Sequence, residues 1–114
     1  MTDCVFCRIV ARERPARILY EDEGILAFED IRPRAPVHVL VIPKEHIVSL
    51  EEAPAGREEL LGRLMYVARD IARDKGVAAS GYRLVLNCGP DSGMEVPHLH
   101  VHLLGGRRMG WPPG

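Results

Sequence analysis

A chain of 114 residues, 46% hydrophobic and 27% charged, has the composition of one globular domain and can bury a core without disulfide staples. Its 15 basic and 16 acidic residues leave a net charge of −1, which argues against the basic excess of proteins that bind a nucleic-acid backbone. No stretch approaches the ~20 apolar residues of a membrane helix, and Met1-Thr2-Asp3-Cys4 opens no signal peptide. Three cysteines, an odd number, fit a reducing cytoplasm better than a disulfide framework. The expectations are a cytoplasmic protein with no membrane and no nucleic-acid partner.

In chain order, residues 4–12 predict a short helix with Val5, Ile9 and Val10 as its apolar side, closed by Pro15. Ile18-Leu19-Tyr20-Glu21 and Ile25-Leu26-Ala27-Phe28-Glu29 flank Asp22-Glu23-Gly24 and read as a hairpin with a tight loop. Residues 37–42 form a β-branched run stopped by Pro43, apolar enough for a central strand buried on both faces. Residues 57–75 carry the one long helix. Leu60, Leu64, Val67 and Ile71 form its stripe, and Leu61, Met65, Ala68 and Ala72 widen it. Gly76 is placed to end that helix in a left-handed conformation. Gly62 inside it reads either as a tolerated cost of about 1 kcal/mol or as a point of close helix–helix approach. Residues 82–86 predict a fourth strand, 87–95 a loop of turn formers, and 98–104 a fifth strand closed by Gly105-Gly106. Residues 107–114 form a tail of a single domain spanning 1–114, in which Trp111 is expected to dock. Short strand–strand links favour an antiparallel sheet with the helix on one face, an α+β architecture.

Three features carry candidate chemistry. His98, His100 and His102 alternate, so on a strand they share one face while Leu99, Val101 and Leu103 share the other. A merely solvated face is a poor explanation, since three imidazoles together repel once protonated. One ion held by all three is disfavoured, because strand spacing sets the outer pair about 13 Å apart at Cα. A nucleophilic histidine is the better reading. An imidazole that donates from one nitrogen to a backbone carbonyl presents the other as a nucleophile, and His100 has a neighbour on each side.

The second feature is Cys4-x-x-Cys7, weak alone. A zinc reading needs two more ligands, for which His46 and His98 are the candidates; a pair of buried thiols is the plain alternative. The third is the glycine-rich loop leading into the histidines, whose N–H groups could cradle phosphate although it lacks the Lys and Ser/Thr of a P-loop. Asp30 could accept hydrogen bonds from a ribose. His38 reads as a half-buried edge residue and Cys88 as a small core residue.

The segment His98-Leu99-His100-Val101-His102-Leu103-Leu104-Gly105-Gly106 resembles the H-x-H-x-H-x-x signature of the histidine triad family. Gly105-Gly106-Arg107 and Trp111-Pro112-Pro113-Gly114 resemble its purine nucleoside phosphoramidase branch, and the likeness runs from Cys4 to Gly114. It implies an α+β fold with a five-stranded antiparallel sheet, one long helix and a short N-terminal helix, in a homodimer whose sheets join. It implies a hydrolase that cleaves the P–N bond of purine nucleoside 5′-phosphoramidates through a nucleotidyl-histidine. By carry-over His100 is the nucleophile, His102 contacts the α-phosphate and moves protons, and His98 completes the catalytic set. Asp30 and Ile31 line the ribose and base pocket; Asn87, Gly93, Met94 and Glu95 lie against phosphate and ribose. Relatives with the Cys-x-x-Cys pair bind zinc through positions matching Cys4, Cys7, His46 and His98, so a structural zinc and no catalytic cofactor are implied.

Met94 and Glu95 depart from the Gln and Ser usual in animal members, where the Ser is thought to assist the leaving amine. His102 stands where the nucleotidyltransferase branch has Gln, which disfavours transfer to a sugar phosphate. The alternative to an enzyme is a purine-nucleotide-binding or scaffold module with incidental hydrolysis.

Overall fold

The computed structural model describes residues 4–114; Met1 to Asp3, part of the segment read for a signal peptide, lie outside the described residues. Helix α1 (Val5–Val10) is followed by strands β1 (Ile18–Glu21), β2 (Ile25–Glu29) and β3 (Val37–Pro43). Helix α2 (Glu58–Asp74), strand β4 (Tyr82–Leu86), a 3₁₀ turn (Pro90–Ser92) and strand β5 (Val101–Gly105) complete the order. The strands form one antiparallel sheet in the order β1-β2-β3-β5-β4. The α+β expectation holds, and no helix among the described residues is long and apolar enough to cross a membrane.

Each element follows from local chemistry. The β1–β2 loop closes because the Asp22 carboxylate accepts the N–H groups of Gly24 and Ile25, both at 2.8 Å. Helix α2 ends as Gly76 requires. Gly76 takes φ +77°, its N–H reaches the Arg73 carbonyl and that of Val77 reaches Ala72, the paired bonds of a Schellman cap. Among the described residues outside its own helical turn, nothing lies within 4 Å of where a Cβ on Gly62 would sit, so that glycine serves no close approach to them.

The sheet has a core on each face. Ile25 and Ala27, Val39 and Val41, and Val101 and Leu103 point to one face, where Leu64, Val67, Ala68, Ile71 and Ala72 of α2 cover them. Of the widened stripe, Met65 is 37% exposed. Leu26, Phe28, Leu40 and Ile42 point to the other face, where Phe6 and Ile9 of α1 pack. Strand β3 is thus buried on both sides, as its unbroken apolar run predicts. Cys88 is only half-buried and belongs to neither core. The Trp111 indole, expected to dock, is 84% exposed.

Candidate active site and metal centre

Strand β5 begins at Val101, three residues later than the alternation suggests. Its pairing with β3 and β4 starts at Val101, opposite Val41 and Leu86. His98 and His100 therefore precede the ladder. Their segment is fixed instead by the Leu99 N–H on the Ile47 carbonyl at 2.7 Å and by burial of the Leu99 side chain among the α2-side core. Alternation still governs the sides, with Leu99, Val101 and Leu103 buried toward α2. The histidine side is not solvated. His98 is 0% and His100 6% exposed, beneath Phe6, whose ring meets both imidazoles edge-on at 5.8 and 5.1 Å between centroids.

Hydrogen bonds assign each ring its proton, because a carbonyl can only accept. His100 Nδ1 lies 2.7 Å from the His98 carbonyl oxygen, so Nδ1 donates and Nε2 keeps a lone pair. His98 Nε2 lies 2.8 Å from the Pro43 carbonyl, so its Nδ1 is bare. On β3, His38 Nδ1 accepts the Arg34 N–H at 3.0 Å, which leaves its proton on Nε2. That Nε2 is 2.9 Å from His102 Nδ1 and 3.5 Å from an Asp30 carboxylate oxygen. His38 therefore donates to His102, whose own proton sits on Nε2. Asp30, His38 and His102 are close enough to share a cation, all ligand atoms lying within 4.8 Å of one another. The backbone donor on His38 Nδ1 opposes this, since it keeps a proton on the nitrogen a metal would need.

Electrostatics keep these rings neutral. Burial lowers His100 most strongly, against the His98 carbonyl and the Asp30 charge, which favour protonation. Burial, then His100 and His38, push His102 down to about 4, Asp30 opposing. Burial also lowers His38, with Asp30 raising and Arg34 lowering it.

A cavity of about 300 Å³ opens onto these rings. Sheet order arranges its walls. Asp30 leaves β2 on one flank, His38 and Leu40 come from β3, His100 and His102 lie at the centre, and Asn87 follows β4 on the other flank. Gly93 and Glu95 also line it; Met94 does not, and Ile31, 82% exposed, lies outside the wall as well. The N–H groups of Ser92 and Gly93 are spent on the carbonyls of Gly89 and Pro90, which removes two donors from the phosphate cradle read in that loop.

The sequence reading missed His38, Phe6, Arg32 and Arg34 at the cavity. His38 is no edge residue. It is 7% exposed on a central strand, and the available signal was a histidine inside an otherwise apolar buried run.

Behind the cavity, Cys4, Cys7, His46 and His98 converge, with all four ligand atoms within 4.8 Å of one another. The Cys4 Sγ–His98 Nδ1, Cys7 Sγ–His46 Nδ1 and His46 Nδ1–His98 Nδ1 distances are each 3.2 Å, and Cys7 Sγ–His98 Nδ1 is 3.6 Å. A tetrahedral zinc with ordinary bond lengths has ligand–ligand edges of about 3.3–3.8 Å. The donor set fits zinc in chemistry and spacing. Cys4 also caps α1, its sulfur accepting the Cys7 N–H at 3.3 Å. His46 is the exposed member, in a loop tied down by the two-pronged Arg57–Glu45 pair at 2.7 and 2.9 Å. Burial, with the hydrogen bond and charge of Cys4 adding to it, pushes the Cys7 thiol up to about 11, so a cation bound there displaces its proton.

Known proteins are similar to this chain over nearly its whole length. The HIT domain model matches residues 11–109. A 14 kDa zinc-binding protein of Zea mays is 48% identical over 96% of this chain and 87% of its own length. An adenylylsulfatase of Arabidopsis thaliana is 45% identical over 96% of this chain and 76% of its own. The crystal structure of a HIT family hydrolase from Legionella pneumophila superposes with a TM-score of 0.95 at 48% identity, covering 98% of this chain and all of that one. An α+β sheet carrying a buried histidine constellation, with relatives of this kind, defines a histidine triad protein. The chain belongs to the HIT domain family, the histidine triad proteins.

Proposed function

We propose that this protein hydrolyses the P–N bond of purine nucleoside 5′-phosphoramidates. The observation that carries the reading is the 2.7 Å contact of His100 Nδ1 with the His98 carbonyl, which leaves a neutral Nε2 lone pair on a residue lining the cavity. In the first step His100 Nε2 bonds to the α-phosphorus, the P–N bond breaks, and the amine leaves with a proton. In the second, water attacks the same phosphorus, the bond to His100 breaks, and the nucleoside monophosphate departs. His102, its Nε2–H stabilised by the His38 donor behind it, supports phosphate oxygen and exchanges the proton; Asp30 balances charge on the pair.

Asp30, Asn87, Gly93 and Glu95 are the nucleotide contacts in this reading, with Ile31 and Met94 joining only if the ligand extends past the cavity wall. A structural zinc on Cys4, Cys7, His46 and His98 would fix α1 against the sheet and supplies no chemistry at the phosphorus. The Arabidopsis relative's name supports a second substrate for the same nucleophile, adenylyl sulfate, in which sulfate replaces the amine. The working unit is taken to be a homodimer.

The test uses adenosine 5′-phosphoramidate and adenylyl sulfate side by side. His100→Gly is expected to lose at least a thousandfold in kcat on whichever the protein cleaves, with AMP binding retained. Turnover by His100→Gly comparable to the unsubstituted protein sinks the nucleophile. AMP binding without turnover of either substrate by the unsubstituted protein favours the nucleotide-binding module instead.

A further inference from the structure

We infer that the four-ligand metal set is a positioning device for the nucleophile, acting through His98. His98 is the one residue that belongs to both centres. Its ring faces the two sulfurs and His46, and its carbonyl holds the proton of His100. This rests on the proposed role of His100, and the tautomer readout below keeps the two apart.

The backbone at residues 98–100 lies before the first ladder pair of β5, so sheet hydrogen bonds do not aim the His98 carbonyl. That stretch is oriented by the ring of His98, by the His98 N–H on the Val96 carbonyl and by the Leu99 N–H on Ile47. The ring meets the Pro43 carbonyl at Nε2, and on its other side His98 Nδ1 meets His46 Nδ1 and Cys4 Sγ, each at 3.2 Å. That separation is close to the edge of a tetrahedral site, so the two nitrogens are spaced as ligands of one cation. A divalent cation satisfies both, and both sulfurs with them. It also ties the ring to α1, because Cys4 caps that six-residue helix and Cys7 lies in its first turn. Phe6 sits between the two cysteines in sequence and packs edge-on against the His98 and His100 rings together. Coordination therefore fixes, in one rigid unit, the carbonyl that selects the His100 tautomer and the phenyl ring that walls it.

Cys4, Cys7 and His46 do not line the cavity and Phe6 is its one wall residue from α1, so removing the metal leaves Asp30, Asn87 and His102 in place for the nucleotide. Losing the device should cost kcat, while AMP affinity stays. A plain fold staple behaves differently. It lowers melting temperature, and below the transition the folded molecules keep their full kcat.

The experiment compares zinc-loaded protein, chelator-treated protein, His46→Ala and His46→Cys, all well below their melting transitions and shown folded by circular dichroism. Expected are close to one equivalent of zinc per loaded chain, a fall in kcat of at least tenfold in the chelated protein and in His46→Ala, and AMP Kd within threefold throughout. His46→Cys, which restores a zinc ligand, recovers most of the lost kcat. Independently of turnover, ¹⁵N spectra of the imidazoles should show His100 as a single Nδ1–H tautomer when zinc is bound and as a mixture when it is not. Binding of less than a tenth of an equivalent of added zinc overturns the inference. So does a kcat loss below tenfold in the metal-free protein, or a loss accompanied by an equal weakening of AMP binding. If no form cleaves any substrate, the hydrolase reading fails, and an unchanged His100 tautomer on zinc removal still decides this one.

Discussion

Burial drives the His102 imidazole down to about 4, His100 and His38 adding to the effect and Asp30 opposing it. In the unfolded chain a histidine ionises near 6.5. Between those limits the unfolded state binds more protons than the folded one, so stability falls as pH drops from 6.5 toward 4. The groups facing His102 are His100 beside it, His38 on β3 and the Asp30 carboxylate; Arg34 acts on it through His38. Urea melts at pH 7.0, 5.5 and 4.5 should show a loss on the order of 1–3 kcal/mol across this window, shallower in His102→Gln. Parallel pH dependences for the two proteins would remove His102 as the source. At this scale the sequence was only partly informative. Spacing alone singled out His98, His100 and His102. Their different jobs depend on which carbonyl each ring meets, and those carbonyls belong to Pro43, 55 residues away, and to a backbone turn before the strand. His38 was undervalued because its partner, His102, is 64 residues distant and reached only through strand pairing.

The β1–β2 hairpin shows a different balance. Burial alone would raise the Asp22 carboxyl. Hydrogen bonds from Tyr20, the Gly24 N–H, Arg63 and the Ile25 N–H outweigh it and hold the group down to about 2. The same carboxylate closes the loop and joins β1 to α2, since Arg63 reaches it at 2.6 Å. A depressed carboxyl stabilises above its unfolded value, near 3.9, and that stability is lost as pH falls through 2. Asp22 is partly solvated, so Asp22→Asn should cost about 1–2 kcal/mol at pH 7 by chemical melts, with the gap to the parent protein closing below pH 3. A gap that persists at pH 2 would assign the loss to the altered loop instead of the charge. The hairpin itself was readable, because Asp-Glu-Gly between two apolar runs is local chemistry. So was α2, whose period and terminal glycine specify its face and end. The start of β5 was not, since alternation continues through residues 98–100 although no neighbouring strand pairs with them.

At the scale of the whole molecule the sheet has two edges, and they differ. Strand β1 is four residues long, its register is interrupted between Ile18 and Tyr20, and its last residue Glu21 is occupied by Arg12 and by Lys44 at 2.7 Å. A short, irregular, charged edge is protected against pairing. Strand β4, Tyr-Arg-Leu-Val-Leu, has none of these features. Its register on β5 is unbroken, its one charge donates to the Gly110 carbonyl of the tail, and all five residues are half-buried. An apolar, regular edge of this kind is a template for another strand, and a second copy of β4 across a twofold axis is the simplest one available. The homodimer proposed above as the working unit would join at this edge. Sedimentation at micromolar concentration should give twice the 12.7 kDa of one chain. Hydrogen exchange should protect every β4 amide, because the outward N–H groups then donate across the interface. A single-chain mass, with alternate β4 amides exchanging as freely as an exposed edge, would place the dimer elsewhere or dismiss it.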